Sequence, residues 1–291
     1  MNILVIGKNG QLATELNRLS SDENQITCIG RDGIDITDIR SIEIKLKDLK
    51  PNVVINASAY TAVDLAETET EQANEINGNS VGKIAQICKK LSIHLIHVST
   101  DFVFDGTQST PYLTTNKPSP INVYGASKAL GEELIINILP ESSCIIRTSW
   151  VYSIHGNNFV KTMLSLMESK PELGIISDQI GTPTYAKVLA QACIYAACNK
   201  LSGIYHWTDQ GIASWYDFAI AIQEIAIDNK ILTKKIPIKA ITTADYPTPA
   251  KRPNFSVLDK SNNSKVFPPQ LITHWRKQLN NMLKELSNGE L

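Results

Sequence analysis

The stretch Asn2-Ile3-Leu4-Val5-Ile6-Gly7-Lys8-Asn9-Gly10-Gln11-Leu12-Ala13 decides how the rest of the chain is read. Residues 2–6 are an apolar run without polar alternation, which reads as a strand buried on both faces. Glycine follows at once, and Leu12, Leu16 and Leu19 then recur at helical spacing. Gly7 permits a tight turn. Gly10 lets the backbone approach a pyrophosphate, which the N-terminus of the following helix favours. Ala13 stands in the place of a third glycine and is still small enough for close helix–strand packing. Asn9, Gln11 and Leu12 complete the turn. An isolated pattern of this kind is weak. Its position directly after the first buried strand makes dinucleotide binding the better reading.

Working outward, short apolar runs alternate with helical patterns. Residues 26–29, 53–55, 93–98 and 144–148 read as strands, and about 38–49, 70–91 and 124–139 as helices. Pro51 and Pro140 end the first and last of these helices, while Gly78 and Gly82 weaken the middle one. Strands apolar on both faces and alternating with helices predict an α/β fold, a doubly wound parallel sheet with ligands at its carboxyl ends. The second half is less regular. Helical patterns near 158–169, 185–198, 214–227 and 271–286 are separated by strand-like pieces at 174–177, 203–207 and 236–241. We therefore expect a dinucleotide-binding unit over 1–150. Residues 151–291 are expected to form mainly a smaller C-terminal substrate-binding subdomain, some of whose segments return to the main one.

Composition bounds the function. The chain has 43% apolar and 20% charged residues and a formal net charge of -1, so it lacks the basic footprint of a nucleic-acid binder. Five cysteines, an odd number with no CxxC pair, sit in apolar periodic segments and argue against a disulfide framework or a zinc site. A reducing, cytoplasmic setting is expected. No apolar run approaches the ~18 residues of a membrane helix. Gly7 interrupts the first apolar run too early for a signal peptide.

The chemistry-bearing residues follow in order. After the second strand stands Gly30-Arg31-Asp32, about 20 residues beyond the glycine turn. Arg31 can pair with a 2′-phosphate, whereas Asp32 or Asp35 can hold a ribose or flank the adenine, so NADPH is expected with NADH possible. Tyr124-Gly125-Ala126-Ser127-Lys128 opens a helix, and its spacing puts Tyr124 and Lys128 on one face. A phenol with a pKa of about 10 donates sluggishly at neutral pH. A neighbouring ammonium is expected to lower that pKa, so that Tyr124 can protonate a carbonyl oxygen as hydride arrives at carbon. Thr100, at the end of the fourth strand, can hydrogen-bond the same oxygen. Thr100, Tyr124 and Lys128 are the expected catalytic residues of a reductase.

With these marks assembled, the chain resembles the extended short-chain dehydrogenases, and within them the branch that reduces dTDP-4-dehydrorhamnose. The resemblance spans nearly the whole length. It rests on residues 7–12, on Asn56-Ala57-Ser58-Ala59-Tyr60-Thr61-Ala62-Val63-Asp64, on Ser99-Thr100-Asp101-Phe102-Val103-Phe104-Asp105-Gly106, and on Tyr124-Gly125 with Lys128. Arg147-Thr148-Ser149-Trp150-Val151-Tyr152, Asp178-Gln179, Ser214-Trp215-Tyr216-Asp217-Phe218-Ala219 and Tyr246-Pro247-Thr248-Pro249-Ala250 with Arg252-Pro253 continue it. It implies a Rossmann-type fold and reduction of the C4 keto group of dTDP-4-dehydro-L-rhamnose to dTDP-L-rhamnose in making cell-surface polysaccharide. It also implies a dTDP-sugar as the partner and a monomer or homodimer as the working form.

By position the resemblance implies a cofactor shell of Gly7, Gly10, Gln11, Leu12, Asp35, Ile36, Ala57, Ser58, Ala59, Tyr124 and Lys128. It implies a sugar-side shell of Thr61, Val63, Thr100, Phe102, Tyr124 and Trp150. Asn77 matches a helix asparagine that helps shape the active site in such enzymes, although as a lone residue it reads as a surface amide. Phe102 stands where tyrosine is usual, removing one hydroxyl from the sugar side. Glu15 and Glu285 match two carboxylates that bind magnesium in some members, but Lys187 stands in the third place and repels a cation, so no metal is expected.

Asp64, Glu67, Glu69 and Glu71 read as a solvated helix start. His97 reads as a packed strand residue, and His206 as a core or pocket-wall residue of a strand. Arg252 can pair with a substrate diphosphate or be an ordinary surface arginine. Two other functions compete. A nucleotide-sugar dehydratase or epimerase would share the frame, but Asp101-Phe102 lacks the second carboxylate that an elimination needs. A non-catalytic regulatory subunit, such as that of methionine adenosyltransferase, has no need of an intact Thr100, Tyr124 and Lys128.

Overall fold

Ile3, Leu4, Val5 and Ile6 are each at most 2% exposed, so β1 (Asn2–Ile6) is covered on both faces, as its unbroken apolar run requires. The computed structural model describes residues 1–289; residues 290–291, the end of the expected second unit, lie outside the described residues. The chain continues through α1 (Gln11–Asn17), β2 (Gln25–Ile29), α2 (Ile39–Leu49), β3 (Val53–Asn56) and a short α3 (Val63–Ala66). Next, α4 (Thr70–Asn74) runs through a π turn (Glu75–Asn79) into α5 (Ser80–Leu91), followed by β4 (His94–Thr100), α6 (Val123–Ile138) and β5 (Ser143–Thr148). The second half contains β6 (Val151–Tyr152), α7 (Phe159–Ser169), β7 (Leu173–Ile176), β8 (Ile180–Gly181), β9 (Thr184–Tyr185) and α8 (Ala186–Cys198). It ends with β10 (Gly203–His206), β11 (Ala213–Ser214), α9 (Trp215–Asp228), β12 (Ile238–Ile241), α10 (Asn263–Val266) and α11 (Trp275–Ser287).

Six strands form one parallel sheet in the order β10-β5-β4-β3-β1-β2. The chain first adds β2 on one side of β1 and then β3 on the other. The order therefore reverses between β1 and β3, and the crevice outside their carboxyl ends is where such sheets take ligands. Alternate residues of β1 serve two cores. Ile3 and Val5 pack with Leu16, Leu189 and Phe218 on the α1–α8 side, whereas Leu4 and Ile6 pack with Leu46, Ile84 and Ile135 under α2, α5 and α6. β10, from the second half, adds to the main sheet beside β5.

The helix expected over 70–91 is present but carries the π turn, and its glycines have a positive role. A Cβ at Gly78 would lie 2.5 Å from Leu130 Cδ2, and one at Gly131 would lie 2.3 Å from Asn77 O. Missing side chains on both helices let α6, which carries Tyr124, lie directly against the π turn. The two-residue strands β6, β8, β9 and β11 were not expected from sequence, since two residues carry no periodicity. Cys198 lies exposed near the end of α8 and is not a buried hydrophobe.

Candidate active site

A cleft of about 960 Å³ opens along the carboxyl ends of β1, β2 and β3. Gly7 has φ +123°, and a Cβ there would stand 3.0 Å from Ala57 C and O and from Ser58 N. Only glycine lets the turn after β1 pass so close to the loop after β3. Gly10 caps α1 without a side-chain hydrogen bond, the first turn holds no acidic residue, and a Cβ on Gly10 would meet nothing within 4 Å. An uncapped helix start at a roomy glycine turn suits a phosphate group.

Gly7, Asn9, Gly10, Arg31, Asp35, Ile36, Ala57, Ser58 and Ala59 all line this cleft. Gln11, Leu12, Tyr124 and Lys128 do not. Leu12 is 8% exposed and packs into the core, so its side chain offers a ligand nothing. Gln11 Oε1 accepts a hydrogen bond from Asn158 Nδ2 at 3.0 Å. Asp32 pairs with Lys8 at 3.1 Å on the surface, while Arg31 is exposed. Hydrogen bonds from the Thr37 hydroxyl and N–H, at 2.7 and 2.8 Å, hold the Asp35 carboxyl below its usual range. Gln72 and Ile76 also line the cleft, from α4 and the π turn. Nothing in their local sequence signals it.

Thr100 ends β4, and Tyr124 is the second residue of α6. They meet because Gly125 allows α6 to start against the Phe102 carbonyl; a Cβ at Gly125 would lie 2.1 Å from Phe102 O. Asn122 fixes this start. Its Oδ1 accepts from Gly125 N–H at 2.7 Å, and its Nδ2 donates to Lys251 O at 2.7 Å. The Thr100 hydroxyl donates to Asp101 Oδ1 at 3.1 Å and accepts from Phe102 N–H at 3.2 Å. The Phe102 ring meets Tyr124 edge-on, with centroids 5.8 Å apart.

Burial pushes the Tyr124 phenol up to about 12, with the Thr100 hydrogen bond opposing and the Asp101 charge adding to the rise. Lys128 is 2% exposed, and burial brings its ammonium down to about 8 against the pull of Glu132. Its Nζ donates to Val98 O at 2.7 Å and faces His97 Nε2 at 3.2 Å. The expected lowering of the phenol by Lys128 is therefore not found: removal from water acts on both groups and keeps Tyr124 protonated. Asp101 is 2% exposed and raised to about 6, chiefly by burial.

On the expected sugar side, Thr61 is exposed and Val63 half-buried. Trp150 follows β5 with φ 47°, an uncommon conformation for a bulky residue. Its ring stacks on Trp215 with centroids 3.6 Å apart, and a Cβ at Gly181 would lie 2.7 Å from it. The indole is thus clamped between β8 and α9. Trp215, the first residue of α9, is the partner that holds it.

Arg252 binds Asp64 in bidentate fashion, at 3.0 and 2.8 Å, and Nη1 also donates to Thr248 Oγ1 at 2.5 Å. This pair lowers the Asp64 carboxyl below its usual range. Glu67 Oε1 accepts from Val123 N–H at 2.9 Å, and Glu69 Oε2 from the Tyr60 hydroxyl at 2.8 Å. Three members of the acidic run are therefore anchors between elements, which corrects their reading as a solvated helix start. Asn77 is also no surface amide. It is fully buried, accepts from Tyr60 N–H at 2.8 Å and donates to Tyr60 O and Ser127 Oγ, both at 3.0 Å. Away from this site, Glu285 is held by Lys187 and the Tyr185 hydroxyl, and buried Glu15 accepts from Ser153 Oγ at 2.5 Å.

The sequence family described as the RmlD substrate binding domain matches residues 1–288. The chain is 42% identical to the dTDP-4-dehydrorhamnose reductase of Aggregatibacter actinomycetemcomitans, over 96% of this chain and 97% of that protein. It is 39% identical to the spore coat polysaccharide biosynthesis protein SpsK of Bacillus subtilis strain 168, over 99% of this chain and 98% of that one. The dTDP-4-dehydrorhamnose reductase of Bacillus anthracis, solved in complex with NADP, superposes with a TM-score of 0.91 at 31% identity, covering 98% of this chain and 99% of that one. The UDP-glucose 4-epimerase of Thermus thermophilus, solved with NAD, shares the fold with a TM-score of 0.82 at 16% identity over the full length of both chains.

Proposed function

The chain belongs to the RmlD substrate binding domain family, and on that premise we propose that it reduces the C4 keto group of dTDP-4-dehydro-L-rhamnose to dTDP-L-rhamnose with NADPH. NADH is the alternative reductant. The observation that carries this reading is the seating of Tyr124 against the Thr100–Phe102 turn at the end of β4, where Gly125 packs on the Phe102 carbonyl and the Phe102 ring meets Tyr124, with Lys128 tied through His97 and Asn56 to Ser58 in the cleft. A second carboxylate for an elimination is absent next to Asp101, where Phe102 stands.

In this reading the cleft residues hold the dinucleotide, with the pyrophosphate at Gly7, Gly10 and the start of α1 and the 2′-phosphate at Arg31. When bound, the reduced nicotinamide supplies a hydride. The chain does the rest. Thr100 hydrogen-bonds the keto oxygen and orients it. Tyr124, kept as a phenol by burial, gives its proton to that oxygen as negative charge develops there. The Lys128 ammonium stabilises the phenolate left behind and returns a proton to it. Trp150 walls the sugar, Thr61, Val63 and Phe102 flank it, and residues from 151 onward form most of the substrate side over the 1–150 unit. The missing hydroxyl at Phe102 tunes which sugar fits best. No helix among the described residues is long and apolar enough to cross a membrane. Five free cysteines suit a reducing compartment, and we place the reaction in the cytoplasm.

The test follows NADPH oxidation with dTDP-4-dehydro-L-rhamnose. Turnover is expected, and Tyr124→Phe should lower kcat by about 10²- to 10⁴-fold while leaving NADPH affinity nearly intact. A folded protein that oxidises neither NADPH nor NADH with this sugar would end the reductase reading.

A further inference from the structure

We infer that Asp101 is a positioning residue for Thr100: its carboxyl and the keto oxygen of the substrate compete for the one proton of the Thr100 hydroxyl, and Thr100 serves the substrate only while Asp101 is uncharged. Asp101 opens the 3₁₀ turn Asp101–Val103 that follows β4, and it is buried. Its Oδ1 lies 3.1 Å from Thr100 Oγ1, which also accepts from Phe102 N–H at 3.2 Å. Its Oδ2 is buried with no hydrogen-bond partner among the described residues.

The proton inventory sets the direction. A threonine hydroxyl has one donor and two acceptor lone pairs, whereas an ionised carboxylate only accepts. Phe102 N–H takes one lone pair of Thr100 Oγ1. With Asp101 ionised, the contact to Oδ1 uses the only Thr100 proton, and Thr100 has nothing left to donate. With Asp101 neutral and its proton on Oδ1, the same contact runs the other way. Oγ1 then accepts from Phe102 N–H and from the Asp101 acid, and its own proton is free to point at the keto oxygen. The heavy atoms stand alike in both forms, and only the hydrogens differ. Thr100 keeps its proton throughout, and the keto oxygen takes its own from Tyr124.

The surroundings favour the neutral form. Ionised, Asp101 keeps a charged oxygen at Oδ2, out of water and without a donor. Neutral, it keeps only a carbonyl there, which costs less. Burial raises the carboxyl to about 6, against the nearby Ser256 and Thr100 hydroxyls and the N–H groups of Asp101 and Phe102. Of the groups that face it, Thr100 at the end of β4 and Ser256 of the loop after Arg252 carry no charge, and the Tyr124 phenol of α6 is titratable. The Asp101 charge adds to the rise of that phenol. An uncharged Asp101 therefore acts twice. It frees the Thr100 proton, and it removes a like charge from beside the phenolate that Tyr124 becomes.

This inference rests on the reductase reading only for what Thr100 does, and two measurements separate the two. In steady-state assays with NADPH and dTDP-4-dehydro-L-rhamnose, kcat should rise on the order of tenfold from about pH 7.5 to about pH 5.5, as Asp101 takes up its proton. Lys128, brought down to about 8, titrates above this range. Asp101→Asn keeps the shape of the acid but has nothing to titrate, so its acid-side rise should vanish. A parental rise in the asparagine variant, or a parent kcat that is flat or falling toward acid, would overturn the inference. The second measurement needs no turnover. Carbon-13 NMR of the full-length protein, with carboxyl carbons assigned through the backbone, should show Asp101 titrating near about 6. The midpoint should move upward in Thr100→Val, which deletes a hydroxyl that stabilises the charged form. A midpoint indifferent to Thr100→Val would overturn the inference, and so would a parent midpoint in the ordinary range near about 4, even if every variant fails to fold. If the parent turns over no sugar nucleotide while the Asp101 midpoint moves with Thr100→Val, the reductase reading fails and the proton shared by Thr100 and Asp101 stands.

Discussion

Replacing Gly125 by alanine tests whether the fold or merely the presence of Tyr124 sets activity. The new Cβ would stand 2.1 Å from Phe102 O, 2.9 Å from Phe102 C and 3.0 Å from Pro120 Cβ. None of these is the loose end of a flexible side chain. Phe102 N–H is held by Thr100, and Gly125 N–H by the Asn122 cap. Relief must come from the start of α6 moving away from β4 by about 1 Å, since carbon and oxygen do not tolerate so short a contact. That shift separates Tyr124 from Thr100, and a misplacement of this size costs on the order of 100-fold in rate. Overpacking adds about 1–3 kcal/mol of destabilisation. NADPH oxidation and a thermal melt, run together, should show kcat down on the order of 100-fold, a modest fall in Tm and near-parental NADPH affinity. Gly82→Ala is the control. Its Cβ meets the Leu134 Cδ1 methyl at 2.9 Å, which can swing away, so kcat should hold. Parental turnover in Gly125→Ala, or equal losses in the two variants, would refute the argument.

Two further expectations follow from the ties around the site. Arg252→Ala removes the bidentate pair with Asp64, whose side chains are 22% and 41% exposed. The stability cost should be small, about 0–1 kcal/mol, whereas KM for the sugar nucleotide should rise because the 248–254 loop loses its hold on α3. An unchanged KM with a large fall in Tm would contradict this. His206 is 1% exposed, and burial beside Arg147 pushes its pKa down to about 3. The unfolded chain takes up this proton near pH ~6.5, but the native state does so only near about 3. In that window the unfolded state binds more protons, so this residue's contribution makes stability fall as pH drops. The gap in unfolding free energy between the parent and His206→Asn should therefore shrink from neutral to acid pH. A gap independent of pH would show that His206 does not hold its proton off.

Properties carried by contiguous residues were legible in the sequence. The buried run at Ile3–Ile6, the glycine turn after it and the helices with 3.6-residue periodicity are local, and together they specify a doubly wound parallel sheet with a crevice at its carboxyl ends. The cleft position of Gly7 and Gly10 was legible for the same reason, since they follow directly on a strand's end, whereas Ala57–Ala59 were implied by the family resemblance. Pairings between distant segments were not. The carboxylates of Asp64, Glu67 and Glu69 look solvated in sequence because their partners, Arg252, Val123 and Tyr60, are brought to them only by packing. Gly78 and Gly131 look like helix defects until α6 lies on the π turn.

Tyr124 and Lys128 show the division most clearly. Their types and four-residue spacing, hence a shared helix face, are matters of sequence. Their ionisation is not, because desolvation depends on everything packed around a group. Burial raises the phenol and lowers the ammonium, the reverse for Tyr124 of what the pair alone suggested. The sequence determined which groups are candidates for the chemistry. Tertiary structure decided how much water each one sees, and so how far each stands from its ordinary pKa.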